Sequence, residues 1–194
     1  MDTPATRSGH PDPGLGLSAA VDVHYPPDGG ANAAVVLAAD PTFRDVLDER
    51  TVWVPTVEPY VSGRFFEREL PPLLAVLTQV PALDLLIIDG YVTLDPDGTP
   101  GLGAHVVRSG TVPAVVGVAK TPFRSATHAA VVLRGTSARP LHVTAAGINL
   151  GSAARLVTDL PGGGRIPDPL RRVDRIARSV PDSPPHLVER VDRG

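Results

Sequence analysis

The sequence predicts an α/β protein: a central mixed sheet that opens with a three-strand antiparallel meander and is flanked by helices. Three observations predict it. Three strand-like runs precede any helical pattern. A short run that is apolar throughout, 85–88, follows the first helical segment. After further strand-like runs, the chain closes on two segments of helical periodicity. An opening meander argues against the standard dinucleotide-binding fold.

The elements follow in order. Residues 1–16 carry three prolines and three glycines without periodicity and are expected to form a disordered arm. Segments 17–25 and 33–39 read as strands on either side of a Pro-Pro-Asp-Gly-Gly turn, and 51–57, with Trp53, as a third. Over 65–80, Phe66, Leu70, Leu73, Leu74 and Leu77 fall on one helix face. Pro71 and Pro72 complicate this helix, which either contains them or begins there, since proline suits a first turn. The run 85–88 ends in Asp89-Gly90 and suits a strand buried on both faces, and 114–119 is of the same kind. Between them lies a loop or short helix. Segments 129–133 and 140–145 read as strands, 149–160 and 168–180 as helices. The reading is one domain over 17–180, with a weakly held tail over 181–194.

Composition bounds the function. A chain of 194 residues buries roughly 70% of its unfolded surface and needs no covalent staple. The absence of cysteine excludes a disulfide scaffold, a thiolate zinc site and a cysteine nucleophile. A net charge of −3 argues against a generic polycationic nucleic-acid binder but leaves room for a site that recruits Mg²⁺. There is no long apolar run and no apolar segment at the N-terminus, so no membrane span is expected and a cytoplasmic location is. Gly101-Leu102-Gly103 lacks the third glycine of a dinucleotide loop. Walker, nucleophile-elbow and His-Glu-x-x-His patterns are absent, and the six histidines are scattered.

The carboxylates stand out. Alternation places Asp22 with Ala20 and His24 on one strand face and Val21 and Val23 on the other. A charge there is costly to bury without a partner or a metal, unless the strand is an edge and the charge meets water. Asp89 ends an apolar strand, where α/β proteins keep ligands, although Asp-Gly is also a common turn. Glu69 flanks the buried stripe of its helix. Asp174 lies beside Leu170, at the edge of a stripe formed by Leu170, Val173, Ile176, Ala177 and Val180, with Arg171, Arg175 and Arg178 on the exposed side. Both also suit solvated helix charges, Asp174 as the i,i+4 partner of Arg178. Together the four acids offer hard oxygen ligands for Mg²⁺ or Mn²⁺, the setting for phosphoryl transfer. Spacing alone does not show that they converge.

Several segments in order carry a resemblance. They are Ala20-Val21-Asp22-Val23; Pro59-Tyr60-Val61-Ser62-Gly63 followed by Phe66, Arg68-Glu69 and Pro71; and Asp84-Leu-Leu-Ile-Ile-Asp89-Gly90. Gly117-Val118-Ala119-Lys120 and Arg165-Ile166-Pro167-Asp168-Pro169, with Arg171 and Asp174, complete the set. From about Ser18 to Ala177 the chain resembles endonuclease V, the deoxyinosine-specific nucleases of the ribonuclease-H-like superfamily.

The resemblance implies a ribonuclease-H-like fold and a Mg²⁺-dependent, or Mn²⁺-dependent, endonuclease. Its substrate would be inosine-containing DNA, RNA or both, cut at the second phosphodiester on the 3′ side to leave a 3′-hydroxyl and a 5′-phosphate. Asp22 and Asp89 would be the principal metal ligands, with Glu69 and Asp174 completing the site directly or through water. Lys120 would lie near the scissile phosphate. Tyr60 would belong to a strand-separating wedge, and Gly63 and Gly90 would admit an extruded base. The protein would be a monomer. The chain also departs from the pattern. Ser62 replaces a second proline of the wedge, Asp95-Pro96 a His-Pro pair, and Gly147-Ile148-Asn149 a Gly-His-Arg segment. The N-terminal helix gives way to the Pro/Gly arm. These departures motivate two competing expectations: a non-catalytic nucleic-acid or partner-binding protein on the same fold, or a nuclease of altered substrate.

Overall fold

The strands order themselves by burial. The run 31–38 contains no charge and is buried throughout, so it takes an interior place; the charge-bearing 46–54 takes an edge. The computed structural model describes residues 15–59, 61 and 65–179. Most of the expected arm, the 181–194 tail and the wedge residues Tyr60, Ser62 and Gly63 lie outside them. Leu15 and Gly16 are described, and the Gly16 N–H donates to the Asp84 carboxylate at 3.1 Å.

The elements are β1 (Ser18–His24), β2 (Ala31–Ala38), β3 (Val46–Val54), α1 (Phe65–Leu77), β4 (Leu85–Asp89), α2 (Leu102–Arg108), β5 (Val115–Ala119), β6 (Ala130–Val132), β7 (Leu141–Ala146), α3 (Leu150–Asp159) and α4 (Asp168–Arg178). They form one seven-stranded sheet in the order β3-β2-β1-β4-β5-β7-β6. The pairs β1/β4 and β4/β5 are parallel and the others antiparallel, so the sheet is mixed and the opening meander is present.

Three expectations need correction. The third strand begins five residues before the expected 51 and ends at Val54, because it follows β2 through the full register from Ala31↔Val54 to Ala38↔Val46. Its first half is charged and exposed, so it gave no apolar signal. The first helix runs through both prolines, from Phe65 to Leu77, rather than beginning at them. The uncertain segment after β4 is the short helix α2.

The sheet carries a core on each face. Ala20, Ala34, Val36, Ile87 and Val116 pack under α3 and α4, against Val157, Leu170, Val173 and Ala177. Ala19, Val21, Val35, Leu86 and Ile88 pack under α1 and α2, against Leu73, Val76, Leu77 and Val106. The alternation deduced for β1 is therefore observed, and Asp22 belongs to the α4 face. Because β1 is interior, its charge is not an edge charge. Among the described residues no helix is long and apolar enough to cross a membrane.

Candidate functional site

Parallel register assembles the site. Val21 is level with Ile88 across β1 and β4, so Asp22 and Asp89, each the next residue, stand side by side at the carboxyl ends of adjacent strands. Asp89 is level with Val118 on β5, and Lys120 follows two residues on, at the end of the same face. The Lys120 ammonium donates to the Asp89 carboxylate in a close ion pair. The lysine is thus more than a strand-end charge.

Two helices close over this strand end. α4 packs on β1 and β2, and the Asn32 amide fixes its last turn by donating to the Ala177 carbonyl at 2.7 Å. Asp174, one turn back, interacts electrostatically with Asp22 and Lys120. It also accepts from Arg178 Nε at 2.9 Å, so the ordinary i,i+4 pair and the approach to Asp22 hold at once. From the opposite face α1 supplies Glu69, which senses both Asp22 and Asp89.

Charge crowding shows in the acids. Burial raises the Asp22 carboxyl from 3.8 to about 6, against the opposing Val23 N–H hydrogen bond at 2.9 Å, with Asp89 and Asp174 pushing further up and Lys120 down. Burial likewise raises Glu69 from 4.5 to about 7; the Tyr25 hydroxyl and Arg68 oppose the rise, and Asp22 and Asp89 add to it. Burial lowers Lys120, but the hydrogen bond and charge of Asp89, with Asp22 and Asp174, outweigh it and leave the ammonium firmly protonated.

The strand-end loops are shaped around Gly90 and Gly117. Gly90 sits at φ +130°, which side chains rarely adopt. A Cβ at Gly117 would lie 2.6 Å from the Gly90 carbonyl oxygen and 2.9 Å from Val92 N, so glycine at the head of Gly117-Val118-Ala119-Lys120 lets the Asp89 loop fold back over β5. Thr144, buried on β7, accepts the Val92 N–H at 2.8 Å and fixes that return. Tyr60 and Gly63 lie outside the described residues. Asp95 is engaged in its own loop, its carboxylate accepting the Thr99 N–H at 2.9 Å. Asn149 caps α3 by accepting the Gly151 and Ser152 N–H groups at 2.9 and 3.3 Å.

Sequence reasoning passed over Tyr25. Pro72 has no N–H to give the carbonyl of Arg68, four residues back in α1. The Tyr25 hydroxyl donates to that carbonyl instead, at 3.0 Å, and the Arg68 guanidinium lies 4.0 Å from the centre of the Tyr25 ring. The end of β1 is thereby fastened to the turn that carries Glu69. The signal was the Pro71-Pro72 pair itself, since a helix that runs through prolines needs outside donors.

The site is a set of hard oxygen donors with a neighbouring ammonium. Among the described residues no three His, Asp or Glu side chains are gathered tightly enough to grip an ion as they stand; Asp89 is turned to Lys120 and Asp174 to Arg178. The donor chemistry nevertheless fits Mg²⁺ or Mn²⁺. Carboxyls raised first by burial and further by one another's charge are the condition that a hard dication relieves.

Comparison with known proteins bears on this arrangement. Residues 5–146 match the family model of Endonuclease V. An Endonuclease V of Azotobacter vinelandii is 33% identical over 186 residues, covering 85% of this chain and 83% of that one. The crystal structure of Endonuclease V from Streptomyces avermitilis superposes with a TM-score of 0.70 at 27% identity, covering 85% and 81% of the two chains. A Ciona intestinalis Endonuclease V, in complex with a DNA containing an inosine, shares the fold with a TM-score of 0.72 at 20% identity, covering 86% and 85%.

Proposed function

The chain belongs to the endonuclease V family and is an endonuclease of α/β fold; from that premise, we propose that it hydrolyses a phosphodiester on the 3′ side of inosine in nucleic acid, with Mg²⁺ or Mn²⁺. The observation that carries this reading is the meeting of Asp22, Asp89 and Lys120 at the carboxyl ends of three adjacent parallel strands, with Glu69 and Asp174 closing in from opposite faces. The Ciona relative's inosine-containing DNA supports the choice of substrate.

Asp22 and Asp89 would hold the ion, with Glu69 and Asp174 as further or water-mediated ligands. When bound, such an ion polarises the phosphate and lowers the pKa of a water. The chain's own residues do the rest. Lys120, held protonated, faces the equatorial oxygens on which charge accumulates as water adds to phosphorus. The bond to the 3′-oxygen then breaks, leaving a 3′-hydroxyl and a 5′-phosphate. Gly90 offers backbone without a side chain beside Asp89, an edge that an extruded base can approach. Tyr60 and Gly63 would serve strand separation and base access. The enzyme would act as a monomer, one domain over 17–180 with an arm and a tail, in the cytoplasm and in nucleic-acid repair.

The test is cleavage of end-labelled DNA and RNA strands, each with or without one inosine, in Mg²⁺, Mn²⁺ or EDTA. Metal-dependent cutting one nucleotide past the inosine is expected, with at least ~10³-fold loss in Asp89→Ala, since a principal charge-bearing ligand of the reaction is removed. A folded wild type that cuts no strand, or an Asp89→Ala variant of full activity, refutes the assignment. Binding of inosine strands without turnover in either metal favours the non-catalytic alternative that the changed Asp95 and Asn149 segments motivate.

A further inference from the structure

The helix that delivers Asp174 also carries four arginines, and the site described above uses none of them to meet substrate. Arg171, Arg175 and Arg178 are exposed on α4 and Arg172 is half-buried. Arg171, Arg172 and Arg175, with Asp168, line a cleft of about 450 Å³. Arg171 pairs with Asp168, and Arg172 with Glu49 on β3. Arg175 forms no ion pair among the described residues. An exposed guanidinium held by a surface carboxylate gives up little when it exchanges partners, because water and salt screen such a pair and leave it little net stability. It gains a bidentate partner when that new acceptor is a phosphate.

The cleft lies on the outer face of α4, the helix whose flank delivers Asp174 to the strand end where the acids meet. Glu49 is level with Val36, and Val36 with Ala20, so Arg172 is anchored on β3, two strands across the sheet from β1 and two residues short of the level of Asp22. Arg175 directly follows Asp174 and so projects roughly 100° round the helix from it, toward solvent. A nucleic-acid strand with one phosphate at Asp22 and Asp89 would meet these arginines by continuing over the outer face of α4. The net charge of −3 makes a local concentration of guanidinium more telling, since the remainder of the surface offers a polyanion little attraction.

We propose that the Arg171–Arg172–Arg175 cleft is a phosphate-binding site for the nucleic-acid strand away from the bond that is cut, and that it sets how much strand the enzyme needs. The proposal rests on the nuclease reading and adds to it a second contact outside the reacting centre. A contact with phosphate alone positions the strand and reads no base.

The experiment measures binding of labelled inosine-containing strands of ~20 and ~5 nucleotides to the full chain, in EDTA and in Ca²⁺, over a range of salt. Wild type is compared with Arg175→Gln, Arg172→Gln/Arg175→Gln and Arg175→Lys. The ~20-nucleotide strand should bind the Gln variants about 3- to 10-fold more weakly near physiological salt. The slope of log K against log salt should become shallower by about 0.7 for each phosphate of a single strand that the variant no longer neutralises. The ~5-nucleotide strand should bind all variants alike, and Arg175→Lys should keep the wild-type slope. An unchanged slope, or an equal loss for both strand lengths, overturns the cleft as a binding site. A wild type that cuts inosine strands while the variants bind as it does leaves the nuclease reading standing and removes this one. A wild type that neither binds nor cuts any strand removes both.

Discussion

Tyr25 illustrates how one hydroxyl ties a strand to a helix. Its O–H fills the place of the N–H that Pro72 lacks, and Arg68 covers its ring. Tyr25→Phe keeps the ring and the cation–π contact but leaves the Arg68 carbonyl without its donor. The expected loss is about 1–2 kcal/mol, read as a lower urea midpoint with an unchanged slope. Glu69 follows in the next position, so the same variant should lower kcat with little change in KM. A variant with wild-type stability and kcat would show that water replaces the hydroxyl. Gly117 makes a second case. Gly117→Ala drives a Cβ to 2.6 Å from the Gly90 carbonyl, which is backbone and cannot swing aside. That variant should displace the Asp89 loop and lower activity more than ~10-fold while remaining folded, as checked by parallel cleavage and circular dichroism.

At the scale of elements, the placing of α4 depends on a buried arginine. Arg134, 5% exposed, donates to the carbonyls of Leu160, Gly162 at 3.1 Å and Gly164 at 3.0 Å, all in the loop that joins α3 to α4. These carbonyls face inward and have no strand to pair with. Arg134→Met should cost about 2–4 kcal/mol and speed hydrogen exchange over residues 159–168, with a secondary loss of activity as Asp174 moves with its helix. Protection equal to wild type would sink the idea that Arg134 sets the loop. Nothing in the sequence marks Arg134, because all of its partners are main chain. The legible parts were those where side chains alternate or repeat. The apolar runs placed β1, β2, β4 and β5, and the period of α4 put Asp174 at the edge of its stripe. The charged half of β3 was illegible because β2, not its own residues, dictates its length. Asp22 was legible as a charge within a strand, Asp89 as a strand end, and Glu69 and Asp174 as the edges of helical stripes. Their meeting was not, since it depends on β1 and β4 being neighbours, separated in sequence by two strands and a helix.

For the whole molecule, the crowded acids make stability a function of pH and of metal. The Asp22 and Glu69 carboxyls stand at about 6 and about 7 in the folded protein, against ordinary values of 3.8 and 4.5. Raised values mean that the folded state binds these protons more tightly than the unfolded chain does. Their protonated forms therefore favour folding, fully below about pH 4, and that contribution is lost as pH rises through about 6 and 7. A rise of this size on a half-buried group is on the order of 2 kcal/mol each, after allowance for partial solvent access. In EDTA, the melting temperature should thus fall between pH 5 and pH 8. Asp22→Asn and Glu69→Gln should each flatten that fall, raising the melting temperature at pH 8 and leaving it nearly unchanged at pH 5. Millimolar Mg²⁺ or Mn²⁺ should restore the wild type at pH 8, where the acids are ionised, and do little at pH 5, where protons compete for the same oxygens. Neither amide variant should gain as much from the metal. A wild-type melting temperature that ignores both EDTA and Mn²⁺ at pH 8 would separate the acid cluster from metal binding. The slope against pH would then report the burial of these acids and their mutual repulsion alone, and the four carboxylates would lose their place as a ligand set while keeping their place at the end of the sheet.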